Sequence, residues 1–359
     1  MDIAIVGAGV VGSSMAFHLA RAGASVTVYE ATRPGAGASG CSFACINALA
    51  KRPRFYFEEH RDARRYLQEL LRDLDASHLL HLGGTVRWAA GAGEQAQLEG
   101  LAGEVANWGE TVQWLSARAF AQVEPDLAIP ATADVLLLPD EGWLDLLRFS
   151  ALLLRAAANA GADVRWPDPV VALEPRGGQI HVTSSMESRA FDCAVLAGGP
   201  WMSDLSVLGV RAVPVTVEPG LLITTSPLAV DLRHVVYAGA IHVRSDGSGR
   251  LMAGSAAIGI DDAPALMSGL GEIVPICRRL APESVRIGLR AVPRDGLPIV
   301  GHLPDEPRIY VASMHSGANL AAHVTRFAAA EILQQQASGA LQHYRPERFA
   351  ADPGLVAGN

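Results

Sequence analysis

The sequence predicts an α/β protein in which a doubly wound parallel sheet is interleaved with a second domain of mixed and antiparallel sheet. Three observations carry this. The apolar strand Ile3-Ala4-Ile5-Val6 runs into Gly7-Ala8-Gly9-Val10-Val11-Gly12 and then into a helix. A second buried strand, Cys193-Ala194-Val195-Leu196, runs into the glycine turn Gly198-Gly199-Pro200-Trp201. Residues 213–260, by contrast, alternate apolar and polar side chains between turn signals such as Ser245-Asp246-Gly247-Ser248-Gly249, the pattern of antiparallel sheet with one covered face.

Each part of the N-terminal βαβ unit has a physical task. Gly7 permits the tight turn, Gly9 lets backbone approach a pyrophosphate, and Gly12 lets helix and strand pack closely. Val10 and Val11 open the helix, whose N-terminus holds negative charge. Met15, Ala16, Leu19 and Ala20 form its apolar side, and Gly23 ends it. The strand Ser25–Tyr29 then carries Glu30 at its tip, placed to accept hydrogen bonds from a ribose 2′-hydroxyl and to repel a 2′-phosphate. NADP is disfavoured; NAD and FAD both satisfy the fingerprint.

Further along, residues 55–75 read as a charged helix with Tyr66, Leu67, Leu70, Leu71 and Leu74 on one side and the run Glu58–Asp62 facing solvent. Thr85–Trp88 is a strand, and 94–109 and 144–160 are helices. Strands follow at Val164–Trp166, Val170–Leu173 and Ile180–Thr183. Ile309–Ala312 is a buried strand, Leu320–Gln335 a helix, and 346–359 a loose tail. The order fits a nucleotide domain over 1–50, 140–210 and 285–345, interrupted by a second domain over 51–139 and 211–284.

Composition bounds the partners. Half of the 359 residues are hydrophobic, enough for a large core. With 29 basic against 37 acidic side chains the net charge is −8, and no basic face is clustered, which argues against nucleic acid. Four cysteines without a C-x-x-C pair point to a reducing compartment. The first strand begins too early for a signal peptide, and no apolar run is long enough for a transmembrane segment; a cytoplasmic protein is the expectation. The histidines show no metal-ligand spacing. Lys51 is the sole lysine, which disfavours a Schiff-base mechanism.

Four segments together resemble the FAD-dependent amino acid oxidase (DAO) superfamily, the group with D-amino acid oxidase, glycine oxidase and sarcosine oxidase. They are the fingerprint with Glu30 and the following Gly35–Gly40; the turn Ala197-Gly198-Gly199-Pro200-Trp201, where Gly198 stands in place of a usual threonine; Gly288-Leu289-Arg290-Ala291-Val292-Pro293-Arg294-Asp295-Gly296-Leu297-Pro298, where Ala291 replaces a proline; and His315-Ser316-Gly317-Ala318-Asn319. The resemblance implies a Rossmann-type FAD-binding domain and a separate substrate domain. It implies FAD as cofactor, hydride transfer from the C–H next to the amine of a small amino or imino acid (the alternative being a larger, pathway-specific amine) as the reaction, and O2 or a quinone or other electron carrier as acceptor. A homo-oligomer and a flavin-bearing subunit of a complex are both compatible with it.

The resemblance also assigns candidate residues. Gly7, Gly9, Val10, Val11, Gly12, Glu30, Ser39, Gly40, Ser42, Gly198, Gly199, Trp201, Gly288, Ser316, Gly317, Ala318 and Asn319 would lie along the cofactor. Trp201 reads as packing at a domain junction. Arg290 matches the arginine that holds the substrate carboxylate in glycine oxidases, and a guanidinium fork suits that task. His315 is a second catalytic candidate, against an inert turn histidine. Tyr237, His242 and Arg244 lie on strands that should roof the substrate; on one regular strand Tyr237 and His242 would face opposite sides and His242 and Arg244 the same side. Lys51 reads as a solvated or phosphate-neighbouring charge. Cys41 and Cys45 read as small packed residues, with covalent flavin attachment the lesser reading.

Overall fold

The computed structural model describes residues 1–89, 91–203, 208–210, 213–255 and 259–349. The chain divides into two compact units: one of residues 1–40, 146–218 and 289 onward, the other of 41–145 and 219–288.

In the first unit, six strands form one sheet in the order Ile299–Leu303, Glu306–Ser313, Cys193–Leu196, Asp2–Val6, Ser25–Tyr29 and Asp163–Arg165. All neighbours pair in parallel except the edge strand Ile299–Leu303, which returns antiparallel from Glu306–Ser313. Ile3, Ala4 and Ile5 are fully buried, as a central strand covered on both faces requires. The helix Val10–Arg21 packs against the helices Leu146–Asn159 and Gly317–Gln334. His18, read from sequence as an ordinary helix residue, fastens the last of these contacts. Its Nε2–H donates to the Ala322 carbonyl at 3.0 Å, and burial pushes its imidazole down to about 4. A three-stranded antiparallel sheet, Val170–Arg176, Gln179–Ser184 and Ser188–Phe191, supplies Leu173, Ile180, Val182 and Phe191 to the same core.

The expected tail is fixed at its start. Pro346–Phe349 forms a 3-10 turn in which Arg348 donates to both carboxylate oxygens of Asp295, at 2.7 and 3.0 Å. Residues 350–359 lie outside the described residues.

The second unit is built on an eight-stranded sheet in the order Ser284–Pro293, Val215–Thr224, Leu251–Ser255, Ile241–Ser245, Val235–Ala238, Thr85–Trp88, Asp134–Leu138 and Gln113–Ser116. The unit divisions at Glu218/Pro219 and Gly288/Leu289 fall inside two of these strands. From Val215–Thr224 to Gln113–Ser116 the pairing is antiparallel apart from a parallel step between Val235–Ala238 and Thr85–Trp88. The helix Ala263–Ile273 buries Leu266, Met267 and Leu270 in the core of this unit, beside Val236, Val243 and Leu251.

Two expectations need correction. Residues 41–50, assigned from sequence to the nucleotide domain, cluster with the second unit, because Cys45 and Ile46 pair antiparallel with Trp143 and Gly142. The run Glu58–Asp62 is not a uniformly solvated face. His60 is 1% exposed, with its Nδ1 3.0 Å from the Asn47 carbonyl.

Candidate active site

The nucleotide unit makes its candidate site mainly from backbone. Gly7 adopts φ +103°, and a Cβ there would lie 2.6 Å from the Ala197 carbonyl oxygen; a Cβ on Gly12 would lie 1.9 Å from the Gly7 oxygen. The turn therefore closes against the helix only with glycine at both places. The helix beginning at Val10 is capped by Gly9, has no side-chain cap and carries no acid in its first turn. Its positive end is left to an outside anion. Ser39 borders that end, its Oγ accepting the Val10 N–H at 2.9 Å, and Gly40 packs against the Gly35 carbonyl. Glu30 is held in place by the Ala8 N–H at 3.0 Å and the Thr32 N–H at 2.9 Å. A cradle closed to side chains, an open helix end and a fixed carboxylate after the second strand fit a dinucleotide of the FAD type.

The other cofactor candidates fall out differently. Gly198 and Gly199 follow the strand Cys193–Leu196, and a Cβ on Gly198 would make only ordinary contacts with the Met202 and Trp201 side chains, the nearest at 3.7 Å, so the position tolerates a side chain. Trp201 is 64% exposed rather than packed, its ring lying over Gly37, where a Cβ would come within 2.9 Å of it. Ser316 stands at the cap of the helix Gly317–Gln334 with no side-chain capping bond to it, and no acid stands in its first turn, so no carboxylate of the helix itself occupies this end. Gly317 packs on Val10, Asn319 is buried, Ala318 is half-buried and His315 stands exposed in the preceding turn. Arg290 is half-buried, its Nη2 3.4 Å from the half-exposed Glu218 carboxylate. So exposed a pair is weak and exchanges readily for another carboxylate.

In the second unit, Ser42 and Gly288 serve local packing. The Ser42 hydroxyl accepts the Ala44 N–H at 3.0 Å, and Gly288 approaches the Cys41 backbone so closely that a Cβ would lie 2.4 Å from its oxygen. Tyr237 and His242 face the same way, contrary to the single-strand expectation. The chain reverses between them at Gly239, which makes them cross-strand partners with rings 5.6 Å apart. Arg244 is 4% exposed and locked: it donates to the Phe43 carbonyl at 2.9 Å and the Ser245 carbonyl at 2.8 Å, and lies 3.9 Å over the Trp143 ring. Burial lowers its guanidinium to about 10. Its place is structural.

Around Tyr237 lies a polar cluster that sequence reasoning did not assemble. The Tyr237 hydroxyl is 2.8 Å from Cys45 Sγ, and burial raises the pKa of both groups. The Arg87 guanidinium sits 3.8 Å over the Tyr237 ring, a cation–π contact set by the parallel register that places Arg87 beside Tyr237. Glu141 is fully buried, and its Oε1 accepts the N–H groups of Ala48 and Leu49 at 2.7 and 3.0 Å. Lys51 is half-buried rather than solvated. Burial lowers its ammonium pKa, opposed by the nearby Cys45 and Glu141. Only the rarity of lysine marked Lys51 in the sequence; nothing marked Arg87 or Glu141. Among the described residues no group of metal-ligating side chains is assembled, and no helix is long and apolar enough to cross a membrane.

A family model described as FAD dependent oxidoreductase, DAO, matches residues 2–330. The chain belongs to this family. It is thus an FAD-dependent oxidoreductase, and the fit of the cradle to a dinucleotide accords with that. The DAO-family chain is 27% identical over 332 residues to glycine oxidase of Bacillus licheniformis, covering 88% of this chain and 87% of that one. It is 24% identical over 373 residues to an opine oxidase subunit of Agrobacterium tumefaciens (strain Ach5), covering 99% of each. Its fold matches the crystal structure of glycine oxidase from Geobacillus kaustophilus with a TM-score of 0.88 at 23% identity, over 97% of this chain and 98% of that one.

Proposed function

We propose that this flavoenzyme oxidises the C–H bond next to the nitrogen of a small amino or imino acid. Hydride leaves that carbon, and the resulting imine is hydrolysed by water. The observation that carries the reading is Arg290, a half-exposed guanidinium in the glycine oxidase-like segment, whose surface pair with Glu218 is weak enough to exchange. Two parallel hydrogen bonds from it would hold the substrate carboxylate and fix the reacting carbon. The chemistry supplied by the bound FAD is acceptance of the hydride. Gly7, Gly9 and Gly12 with the helix end at Val10 would hold the pyrophosphate, and Glu30 the ribose. The helix end at Gly317 would favour negative charge brought near it. His315, exposed beside that end, would contribute a hydrogen bond. Tyr237 and His242 would contact substrate. The acceptor is O2 or an electron carrier, and the setting is cytoplasmic.

Anaerobic titration of the purified yellow protein with glycine, sarcosine, D-alanine, D-proline and L-proline tests this. Bleaching of the flavin band by one of them is expected, and Arg290→Leu should raise the concentration needed by about a hundredfold, the loss of a bidentate charge-assisted pair. Bleaching that is indifferent to Arg290→Leu would remove the residue from the substrate. A second reading, a flavin component of a larger dehydrogenase, is favoured by the full-length match to a protein named as an oxidase subunit. A stoichiometric partner on gentle purification from the native cell would establish it.

A further inference from the structure

We propose that Trp166 is the adenine-stacking residue of the FAD site, an aromatic platform just past the strand Asp163–Arg165 of the nucleotide unit. The inference rests on the reading above that Glu30 holds the ribose.

The register of two strands carries it. Ser25–Tyr29 and Asp163–Arg165 run parallel, with Thr27 opposite Asp163, Val28 opposite Val164 and Tyr29 opposite Arg165. The next residues to meet are Glu30 and Trp166. Backbone hydrogen bonds follow this extra step. The Glu30 N–H donates to the Arg165 carbonyl at 3.0 Å, the bond a parallel ladder makes when Glu30 and Trp166 are partners. Its return bond would come from residue 167, but Pro167 has no N–H, and Asp168 donates to the Glu30 carbonyl instead, at 2.8 Å. Trp166 is thus held beside Glu30 by bonds on either side of it. Ladder partners share a face of the sheet, and both residues lie at the carboxyl ends of their strands, where an open α/β sheet takes its ligands.

Position and chemistry agree. In the sheet, Asp163–Arg165 flanks Ser25–Tyr29 on the side away from Asp2–Val6 and its glycine turn. A dinucleotide with its pyrophosphate at that turn and its ribose at Glu30 therefore brings its base toward Trp166. The Glu30 carboxylate is fixed by the Ala8 and Thr32 N–H groups, so the ribose and the base attached to it would be delivered to one place. Trp166 is 55% exposed, and among the described residues no ring or cation stacks on it. A purine offers its π-face to such an indole and gains by stacking there.

The test reads the rate at which diluted holoenzyme releases FAD, followed by the rise in flavin fluorescence. Trp166→Ala and Trp166→Leu should each speed release about tenfold, the scale of one base–aromatic stack. Trp166→Phe should stay within about threefold of wild type, because it keeps a ring where leucine keeps only bulk. A side chain that merely packs would be replaced better by leucine than by alanine, so this ordering separates stacking from packing, and the phenylalanine variant guards against a folding failure in the other two. Leucine holding FAD as well as phenylalanine would overturn the stack, as would release that is unchanged, or equally fast, in all three variants. Glu30→Ala, measured alongside, tells the two readings apart. If it speeds release while the Trp166 variants do not, the stack fails and the ribose reading stands. If the Trp166 series orders as expected but Glu30→Ala releases FAD at the wild-type rate, the reverse holds.

Discussion

Gly7, Gly9, Gly12 and the open helix end at Val10 form a candidate site whose donors are peptide N–H groups, fixed once the strand–turn–helix path is fixed. In the second unit the polar groups that gather are side chains, with Arg87 stacked on Tyr237, Tyr237 against Cys45, and Glu141 close to Lys51. The first kind of site demands particular residues at particular spacings, because only glycine fits the closures. The second demands only that distant strands bring the right groups together, and many sequences meet that demand. One unit is therefore written as a motif and the other is not.

Three substitutions break or sharpen this contrast. Gly12→Val should have the largest effect, since even a Cβ at 1.9 Å from the Gly7 oxygen forces backbone to move. Loss of flavin on purification and a destabilisation of about 3 kcal/mol or more are expected, measured by the flavin-to-protein absorbance ratio and urea unfolding. Arg244→Met should come next and act through the second unit. It strands the Phe43 and Ser245 carbonyls and removes the cation over Trp143, costing about 2–3 kcal/mol by the same unfolding measurement while the flavin is retained.

The smallest effect is conditional on pH. Folding holds His18 neutral with a pKa of about 4 against an ordinary 6.5, so the unfolded chain binds a proton that the folded one excludes. The stability this protects is whole above pH 6.5 and is lost as pH falls toward 4, about 3 kcal/mol in all. His18→Asn should therefore cost stability at about pH 7.5 yet show a shallower fall than wild type between roughly pH 6.5 and 4.5, by urea midpoints across that range.

The same contrast explains what could be read from the chain. The parallel sheet, the fingerprint and the interleaving of two domains were legible because periodicity and glycine spacing encode them locally. The strands Gln113–Ser116 and Asp134–Leu138 were not, because they are short and their pairing is decided by the folded sheet. Tyr237 and His242 were singled out but set on opposite faces, because the reversal at Gly239 decides their side and residue parity does not. Arg244 has the residue type of a ligand binder and the surroundings of a structural brace. Arg87 and Glu141 carried no signal, since the register of a parallel step and the hydrogen bonds of one loop are properties of the folded unit.

The contact between His18 and Ala322 joins groups 304 residues apart in the chain. At about 5–20 residues per second, a ribosome emits Ala322 roughly 15–60 seconds after His18. For that interval the first helix, with Met15, Ala16 and Leu19 destined for complete burial, has no finished partner. The second unit has all its segments by residue 288, before the nucleotide unit receives its last strands and closing helix. During synthesis, then, the part of the protein made first is completed last.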